Sequence, residues 1–221
     1  MNFSFMARRW VLSCCVLLFF SSAAAAEWEH YGLPIPASQR RMPFSVKPIH
    51  PSQKAPAASP KAKKIEKHRI AQRKTIANLL RRYNKKLDKQ AALKYAEYIL
   101  QACEKYQQDP FVVAAMIVHE SSARCDVVSR GGDYGLMQVR WRVHRKSITQ
   151  KYPHIKDAKG ILDPKYNVLV GTEILARYCS SAPDLKEGLM RYSAGNRKLA
   201  DKVFAVRKGL QSAYQEHLKT L

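Results

Sequence analysis

Residues 109–122 read DPFVVAAMIVHESS, and this segment predicts the central helix of the fold. Asp109 is a good N-cap and Pro110 a good first-turn residue, so a helix is predicted to begin here. Residues 111–118 are all apolar. A helix that is apolar on every side is predicted to be the buried centre of a domain. Glu120 lies about 16 Å along the axis from Asp109, at the far end of the helix, where a cleft can reach it.

Helical periodicity extends over most of the chain after residue 64. The first predicted helix starts there and carries an inward stripe of Ile70, Ile76, Leu79, Leu80 and Tyr83. Further helices are predicted at about residues 90–106, 143–151, 164–179, 184–192 and 198–218. Glycines within residues 123–139 predict a loop or small hairpin that folds back over the helix end. The sequence therefore predicts an all-α domain over residues 64–221, which is long enough to bury one core.

The N-terminal segment has the features of an export signal. Residues 1–10 carry two arginines and no acid, residues 11–20 are an apolar core, and an Ala-x-Ala pattern precedes Glu27. This pattern predicts a secretory signal peptide over residues 1–26. An uncleaved membrane anchor is the alternative, although the apolar core is shorter than the roughly 20 residues that a span needs. We therefore expect an exported protein, located in the periplasm or cell envelope of a bacterium.

Residues 27–63 are predicted to be a disordered, Pro-rich and basic linker. Seven prolines fall between residues 34 and 60, with few large apolar residues among them. Such a segment cannot bury enough apolar surface to offset its ordering entropy. The predicted organisation is therefore a signal peptide, a linker and one helical domain.

The formal net charge of +22 is extreme, and much of it is concentrated in residues 61–89. Twelve Lys or Arg residues stand there against Glu66 and Asp88. An exported protein rarely meets nucleic acid, so none is expected as a partner. The basic linker region is predicted to contact an anionic wall polymer or a membrane surface. A solvated run kept soluble by its charge explains the same composition equally well.

Few residues are suited to disulfide or metal chemistry. After removal of the signal peptide three cysteines remain, Cys103, Cys125 and Cys179. They allow one disulfide in any of three pairings, or three buried thiols that act as small apolar groups. No His, Cys, Asp and Glu cluster has metal-ligand spacing, so no metal or cofactor is expected.

Three short motifs follow the apolar helix in a fixed order. They are Glu120-Ser121, then GLMQ at residues 135–138, then YSAGN at residues 192–196. Asp163-Pro164, Asn167 and Gly171 stand between the last two motifs. This order resembles the lytic transglycosylases with the soluble-transglycosylase (SLT) domain, relatives of goose-type lysozyme. The resemblance covers about residues 91–196 and implies a lysozyme-like helical domain with a small loop or hairpin beside the active-site cleft.

The resemblance implies an enzyme that cleaves the β-1,4 bond between N-acetylmuramic acid and N-acetylglucosamine in peptidoglycan glycan strands. Glu120 is then the single general acid and base, and the product ends in 1,6-anhydro-N-acetylmuramic acid, without metal or cofactor. Independently of the resemblance, the apolar run before Glu120 predicts a raised pKa, as a general acid near neutral pH requires. Asp126 and Asp133 are candidate second acids, but the resemblance assigns neither of them a role.

Three further polar residues are expected at the site. Tyr192 matches the family tyrosine that hydrogen-bonds the catalytic glutamate and holds its orientation. The Ser121 hydroxyl is expected to bond the carboxylate or the sugar. The Gln138 amide can both donate and accept, which suits an acetamido group.

Four further positions complete the expected site. Gly135 lacks a Cβ, so substrate or a helix can approach closely. Met137 offers a soft apolar surface for a sugar ring, although a core position suits it equally. Ser193 stands where the family usually has Asn and so weakens one expected sugar contact, for which Asn196 is a candidate replacement.

Three alternative functions remain open from the sequence. A hydrolytic muramidase on the same fold needs a positioned water and a second acid. A catalytically idle protein for wall binding or assembly conflicts with the intact Glu120, although Ser193 slightly favours it. A cationic polyanion binder explains the charge but leaves the three motifs unexplained.

Overall fold

The computed structural model describes residues 59–221. The predicted signal peptide, and the predicted linker apart from its last five residues, lie outside the described residues. The chain from residue 59 onward forms seven α-helices and one two-stranded hairpin, which confirms the predicted all-α fold. In chain order the elements are α1 (Pro60–Tyr83), α2 (Lys89–Tyr106), α3 (Pro110–Ser121), β1 (Asp133–Tyr134), β2 (Val139–Arg140), α4 (Trp141–Lys151), α5 (Pro164–Ser180), α6 (Leu185–Tyr192) and α7 (Arg197–Lys219).

Short polar side chains cap the helices at the positions that the sequence favours. The capping residues of α1, α2, α3, α5, α6 and α7 are Ser59, Asp88, Asp109, Asp163, Asp184 and Asn196. Proline follows the cap of α1, α3 and α5, where its missing N–H costs nothing. The start of α1 at Pro60 lies four residues before the predicted start, so this helix includes the end of the segment predicted as linker.

Helix α3 is the centre of the domain, as its composition predicts. Residues 111–118 are all buried, and α3 packs against α1, α2 and α7. Helix α5 packs against α2, and α6 packs against both α5 and α7. This arrangement buries the middle of α3 and leaves its C-terminal end, with Glu120, partly exposed.

The predicted inward stripe of α1 is only partly correct. Ile76, Leu79 and Leu80 are buried in the core, but Ile70 and Tyr83 are exposed over 43% and 42% of their surface. Periodicity places all five on neighbouring faces of the helix. Only the three residues in the middle of that set are part of the core, because α2 and α7 cover a narrower strip of the α1 surface than the apolar pattern predicts.

The predicted loop or hairpin is present between α3 and α4. Strands β1 and β2 pair antiparallel, with Asp133 opposite Arg140 and Tyr134 opposite Val139. Leu136 and Met137, in the turn between the strands, are fully buried. The hairpin is therefore anchored in the core by its turn, and its strands lie beside the end of α3.

The structure answers the open question of the cysteines, whereas the possible membrane anchor in residues 1–26 lies outside the described residues. Cys103, Cys125 and Cys179 are free thiols, and Cys103 is buried. From residue 59 to the C-terminus, every helix is too short or too polar to cross a bilayer.

Candidate active site

A cleft of about 270 Å³ opens at the C-terminal end of α3. Its walls come from the β1–β2 hairpin, the first turn of α4, the second half of α5 and the α6–α7 connection. The charged and polar residues that line it are His119, Glu120, Asp133, Gln138, Arg140, His144, Tyr178, Arg191, Tyr192, Ser193 and Asn196. Residues from all three sequence motifs therefore line the cleft.

The Glu120 carboxyl group sits in the cleft without a hydrogen-bond partner among residues 59–221. Burial at the end of the apolar helix raises the pKa of Glu120 to about 7. The negative charge of Asp133 raises this pKa further, and the positive charge of Arg140 opposes the rise. A carboxyl group in this state holds a proton near neutral pH and can release it, as a general acid must.

Asp133 is a second carboxylate in the same cleft, in the opposite electrostatic state. Its two oxygens accept hydrogen bonds from Arg140 Nε at 2.6 Å and from Arg140 Nη2 at 3.1 Å. Ser129 Oγ donates a third bond at 2.9 Å. The bond from Arg140 lowers the pKa of Asp133, with the Ser129 bond adding to this. Asp133 therefore stays ionised while Glu120 holds its proton.

Asn167 of α5 holds the turn of the hairpin in place through side-chain hydrogen bonds. Its Oδ1 accepts a hydrogen bond from Met137 N at 2.8 Å, and its Nδ2 donates to Tyr134 O at 2.7 Å and Ile161 O at 2.8 Å. The side chain is fully buried, so these bonds are made away from competing water. One amide thus connects the hairpin to α5 and to the short 3₁₀ helix (Gly160–Leu162) before it.

Ser121 does not contact the Glu120 carboxylate or the cleft, contrary to the expectation from the sequence. Its hydroxyl is buried and donates to Leu136 O at 2.8 Å, with Ile117 O at 3.1 Å. The side chain points into the core because Ser121 follows Glu120 by about 100° around the helix. Ser121 therefore ties the end of α3 to the hairpin turn.

Tyr192 lines the cleft, but its hydroxyl donates to Met137 O at 2.8 Å and not to Glu120. The only hydroxyl proton is used in this bond, so Tyr192 is left with acceptor capacity toward the cleft. Burial raises the pKa of Tyr192, and the neighbouring charge of Glu120 adds to the rise. The expected bond to Glu120 is therefore absent, and Tyr192 instead connects the hairpin turn to α6.

Packing within the protein, and not contact with a sugar, explains the residue types at Gly135 and Met137. Gly135 has φ +73°, and a Cβ there would lie 2.4 Å from Asn167 Nδ2, so a helix side chain and not substrate makes the close approach. Met137 is fully buried, which contradicts its expected role as a surface for a sugar ring. Its side chain lies against Gly171, where an added Cβ would come within 2.6 Å of the sulfur.

Gln138, Ser193 and Asn196 do line the cleft, but part of each is already bonded within the protein. Gln138 Nε2 donates to Val127 O at 3.1 Å and Gly135 O at 2.9 Å, which leaves its Oε1 as an acceptor. The Ser193 hydroxyl donates to Leu189 O at 3.0 Å. Asn196 Oδ1 accepts from Leu199 N at 3.2 Å as the cap of α7, which leaves its Nδ2 as a donor.

His119 lies beside Glu120 in the cleft wall. Its ring packs edge-on against Tyr83 at 6.2 Å between centroids, but its buried Nε2 has no hydrogen-bond partner among residues 59–221. Burial lowers the pKa of His119. The ring is therefore neutral near pH 7 and forms part of the cleft wall beside Glu120.

Two residues have roles at the site that the sequence did not indicate. Arg140 stands seven residues after Asp133, and opposite charges at the two ends of a short hairpin were the available signal. Asn167 is a polar residue on the inward face of α5, next to Val168 and one turn before Gly171. A buried amide at such a position must find several hydrogen-bond partners, which marks it as structurally important.

Within residues 59–221, no group of three or more His, Cys, Asp and Glu side chains is arranged to hold a metal ion. The side chains of the cleft supply several kinds of chemical group. They offer one protonated acid, one fixed anion and several neutral or cationic hydrogen-bonding groups.

Residues 97–214, just over half of the chain, match the family model described as the transglycosylase SLT domain. The match begins in α2 and ends in α7, so it includes every residue that lines the cleft. It confirms the family resemblance seen in the three motifs. No solved structure matches the chain.

Proposed function

The chain belongs to the transglycosylase SLT domain family, and from this membership and the cleft geometry we propose a specific reaction. Family membership supports lytic transglycosylase-type activity on peptidoglycan in general. The proposal is that the protein cleaves the β-1,4 bond from N-acetylmuramic acid to N-acetylglucosamine. Glu120 serves as the single general acid and base, and a 1,6-anhydro-N-acetylmuramic end is formed.

In the first step, protonated Glu120 donates its proton to the glycosidic oxygen. The bond from C1 of N-acetylmuramic acid to this oxygen breaks, and the N-acetylglucosamine leaves with a new hydroxyl group. Positive charge then develops at C1 and the ring oxygen. The fixed negative charge of Asp133 in the same cleft is suited to stabilise it, because charge placed in advance costs no reorganisation.

In the second step, the Glu120 carboxylate removes the proton from the 6-hydroxyl group of the same N-acetylmuramic acid. The freed oxygen attacks C1 and closes the anhydro ring. Glu120 ends this step protonated, so it is ready for another cycle. A single residue can do both tasks because its pKa of about 7 makes both protonation states accessible near neutral pH.

The observation that carries the proposal is the state of Glu120. Of the two carboxyl groups that line the cleft, Glu120 is the one whose pKa is raised. It forms no hydrogen bond or ion pair with any side chain of the described residues. Around it, acceptor and donor groups at Gln138 Oε1 and Asn196 Nδ2 remain available for the sugar. We therefore assign substrate contact to Gln138, Ser193 and Asn196, and hairpin positioning to Ser121, Gly135, Met137 and Tyr192.

The test is the chemical nature of the products. Purified peptidoglycan sacculi are digested with the protein, and the released fragments are identified by mass spectrometry. We expect anhydro ends, which are lighter by one water than reducing ends. Reducing ends identify a hydrolase, and no release with retained binding identifies an idle wall-binding protein.

A hydrolytic muramidase is the second candidate, and one observation favours it. Hydrolases normally use two carboxyl groups, and Asp133 and Glu120 line one cleft in opposite protonation states. The Arg140 ion pair counts against this candidate, because both Asp133 oxygens already accept hydrogen bonds and are poorly placed to activate water.

We also propose that the protein acts in the bacterial cell envelope. Its proposed substrate is found there, and the N-terminal sequence carries the pattern of an export signal at residues 1–26. Cell fractionation of the tagged full-length protein tests this location.

A further inference from the structure

A second concave surface lies between α1 and α2, on helices that contribute no residue to the catalytic cleft. This surface, here called the α1–α2 groove, has a volume of about 500 Å³. Its floor is apolar and consists of Ile70, Ala77 and Leu93. Ile70 is exposed over 43% of its surface, so apolar area at the bottom of the groove is left in contact with water.

The rim of the α1–α2 groove carries cations and no carboxylate among its lining residues. The rim cations are Arg73, Lys74, Arg81 and Lys89. Arg81 Nε donates to Leu87 O at 3.3 Å, and Arg73 Nε donates to Leu93 O at 3.3 Å. These bonds hold the two guanidinium groups at the rim and leave their terminal nitrogens for other acceptors.

Neighbouring acids neutralise this rim only at Arg73. Glu97 lies 3.9 Å from Arg73 Nε but makes its short ion pair with Arg69. Lys74 and Lys89 are exposed and form no ion pair within the part of the chain that the structure describes. The rim therefore presents a positive surface above an apolar floor.

The positive surface continues along α1 toward its N-terminus. Lys63, Lys67, Lys74 and Arg81 follow one another at intervals of four and seven residues, which places them on one face of the helix. All four are exposed. This row spans 18 residues, or about 27 Å at 1.5 Å per residue, so it is long enough to meet an extended surface and not only a single small ion.

We propose that the α1–α2 groove docks on the surface of an anionic phospholipid bilayer. The rim cations bind lipid phosphates, and Ile70 with the groove floor contacts the acyl region just below the headgroups. A helix with a basic face and an apolar strip is the arrangement that lies in a membrane interface.

The apolar floor distinguishes a bilayer from other polyanions. Nucleic acids and anionic wall polymers offer charge but little apolar surface, so they would leave Ile70 as exposed as before. A lipid supplies both a phosphate and a hydrocarbon chain in one molecule. Since the groove and the cleft share no lining residue, docking through α1 and α2 leaves the cleft free for a glycan strand.

The experiment is a vesicle co-sedimentation assay at low and high salt with the protein from residue 27 onward, that is, without its predicted signal peptide. Vesicles contain either phosphatidylcholine alone or phosphatidylcholine with phosphatidylglycerol in a 3:1 ratio. We expect binding to the anionic vesicles only, weakened at high salt, because surface charges are screened beyond the Debye length. Since a basic residue near an anionic surface contributes about fivefold to binding, the double variant Lys74→Gln, Lys89→Gln should lower binding at least about tenfold.

Matched variants separate the groove from net charge and from general hydrophobicity. Lys146→Gln with Lys208→Gln removes the same charge from exposed positions on α4 and α7 and should keep binding to anionic vesicles. Ile70→Gln should lower binding several-fold. Ile65→Gln, at an isoleucine that is 59% exposed on another face of α1, should not. Thermal melting checks that each variant is folded, and cleavage of soluble glycan fragments should be unchanged.

Several results would overturn the proposal. Equal loss in the two charge variants means that net charge alone drives binding. Unchanged binding in the Ile70→Gln variant means that no apolar contact is made. Loss of binding to purified sacculi in the Lys74 and Lys89 variant, with vesicle binding intact, means that the groove holds a wall polymer.

Discussion

The end of α3 and the β1–β2 hairpin each bring one carboxyl group into the same cleft, and the two groups are in opposite states. Glu120 lies in the last turn of a helix of which nine of the twelve residues are buried, and its carboxyl group has no hydrogen-bond partner among the described residues. Asp133 lies on a partly exposed strand and accepts three side-chain hydrogen bonds. Burial raises the pKa of the first, and hydrogen bonding lowers the pKa of the second.

This comparison shows that the sequence around a carboxyl group can indicate whether the group is buried. It does not indicate which groups will form hydrogen bonds with it. The apolar run before Glu120 is visible in the sequence. The partner of Asp133 is visible only once the hairpin register places Arg140 opposite it. Each region can therefore be tested by removing one feature, and the expected effects differ in size.

The largest effect is expected from Glu120→Gln, which keeps the shape of the side chain and removes the transferable proton. Activity on purified sacculi should fall at least about a hundredfold, the low end of what a positioned general acid supplies. Release of soluble fragments measures this loss. Glu216→Gln, at a surface glutamate whose side chain is 70% exposed, serves as the control and should retain full activity. A folded Glu120→Gln protein with most of its activity would falsify the assignment.

The same variant should change stability in a pH-dependent way. The pKa of Glu120 is about 7 in the folded protein against 4.5 for an ordinary glutamate. The stabilisation from its neutral form is complete below about pH 4.5 and is lost as pH rises through 7. This loss is at most about 3 kcal/mol, since each pKa unit corresponds to about 1.4 kcal/mol.

Glutamine has no such titration, so the two proteins should diverge as pH rises. Urea unfolding at pH 5 and pH 8 measures the free energy of unfolding of both. We expect Glu120→Gln to be more stable than the natural protein at pH 8 by up to about 3 kcal/mol, and closer to it at pH 5. An equal difference at both values would mean that Glu120 is not buried as an acid.

Helix α3 and its cleft end could be predicted from the sequence because their determinants are local. The Asp109 cap, Pro110 and the apolar residues that follow specify a buried helix without reference to the rest of the chain. The raised pKa of Glu120 follows from that burial. The order of the motifs identified the family, and the family match confirms it.

The roles of the other motif residues could not be predicted in the same way. Ser121, Asn167 and Tyr192 all bond backbone groups of the hairpin turn, at Leu136, Met137 and Tyr134. Which carbonyl group lies opposite a hydroxyl depends on the folded path of the loop, and no sequence pattern encodes it. A motif thus marked these positions as important without showing that most of them hold the hairpin.

Asp133→Asn and Arg140→Gln should move the pH dependence of activity in opposite directions. Removing the anion next to Glu120 lowers the pKa of Glu120, so activity should decline at lower pH than in the natural protein. Removing the cation should move the decline to higher pH. For a single-acid transglycosylase, Asp133→Asn should lose less than about tenfold in rate, since it removes one electrostatic contribution and not the proton donor.

Rate measurements from pH 5 to pH 9 test this pair. Asp126→Asn, at an exposed aspartate that does not line the cleft, is the control and should leave the profile unchanged. A loss above about a hundredfold in Asp133→Asn, as large as that from Glu120→Gln, would favour the hydrolytic mechanism with two essential carboxyl groups.

The smallest effect is expected from Tyr192→Phe, and it tests whether this tyrosine serves the acid or the hairpin. The hydroxyl donates to Met137 O, so its removal leaves a buried carbonyl group without this partner, at a cost of about 1–3 kcal/mol in the free energy of unfolding. Because the turn then shifts relative to Glu120, turnover should fall by a factor of about five, equivalent to about 1 kcal/mol. Tyr178→Phe, in the same cleft but without a side-chain hydrogen bond among residues 59–221, should change neither quantity. If Tyr192 instead acted on Glu120 directly, its loss would move the pH profile and leave urea unfolding unchanged. We expect the reverse, because the only proton of the hydroxyl is already bonded to the hairpin.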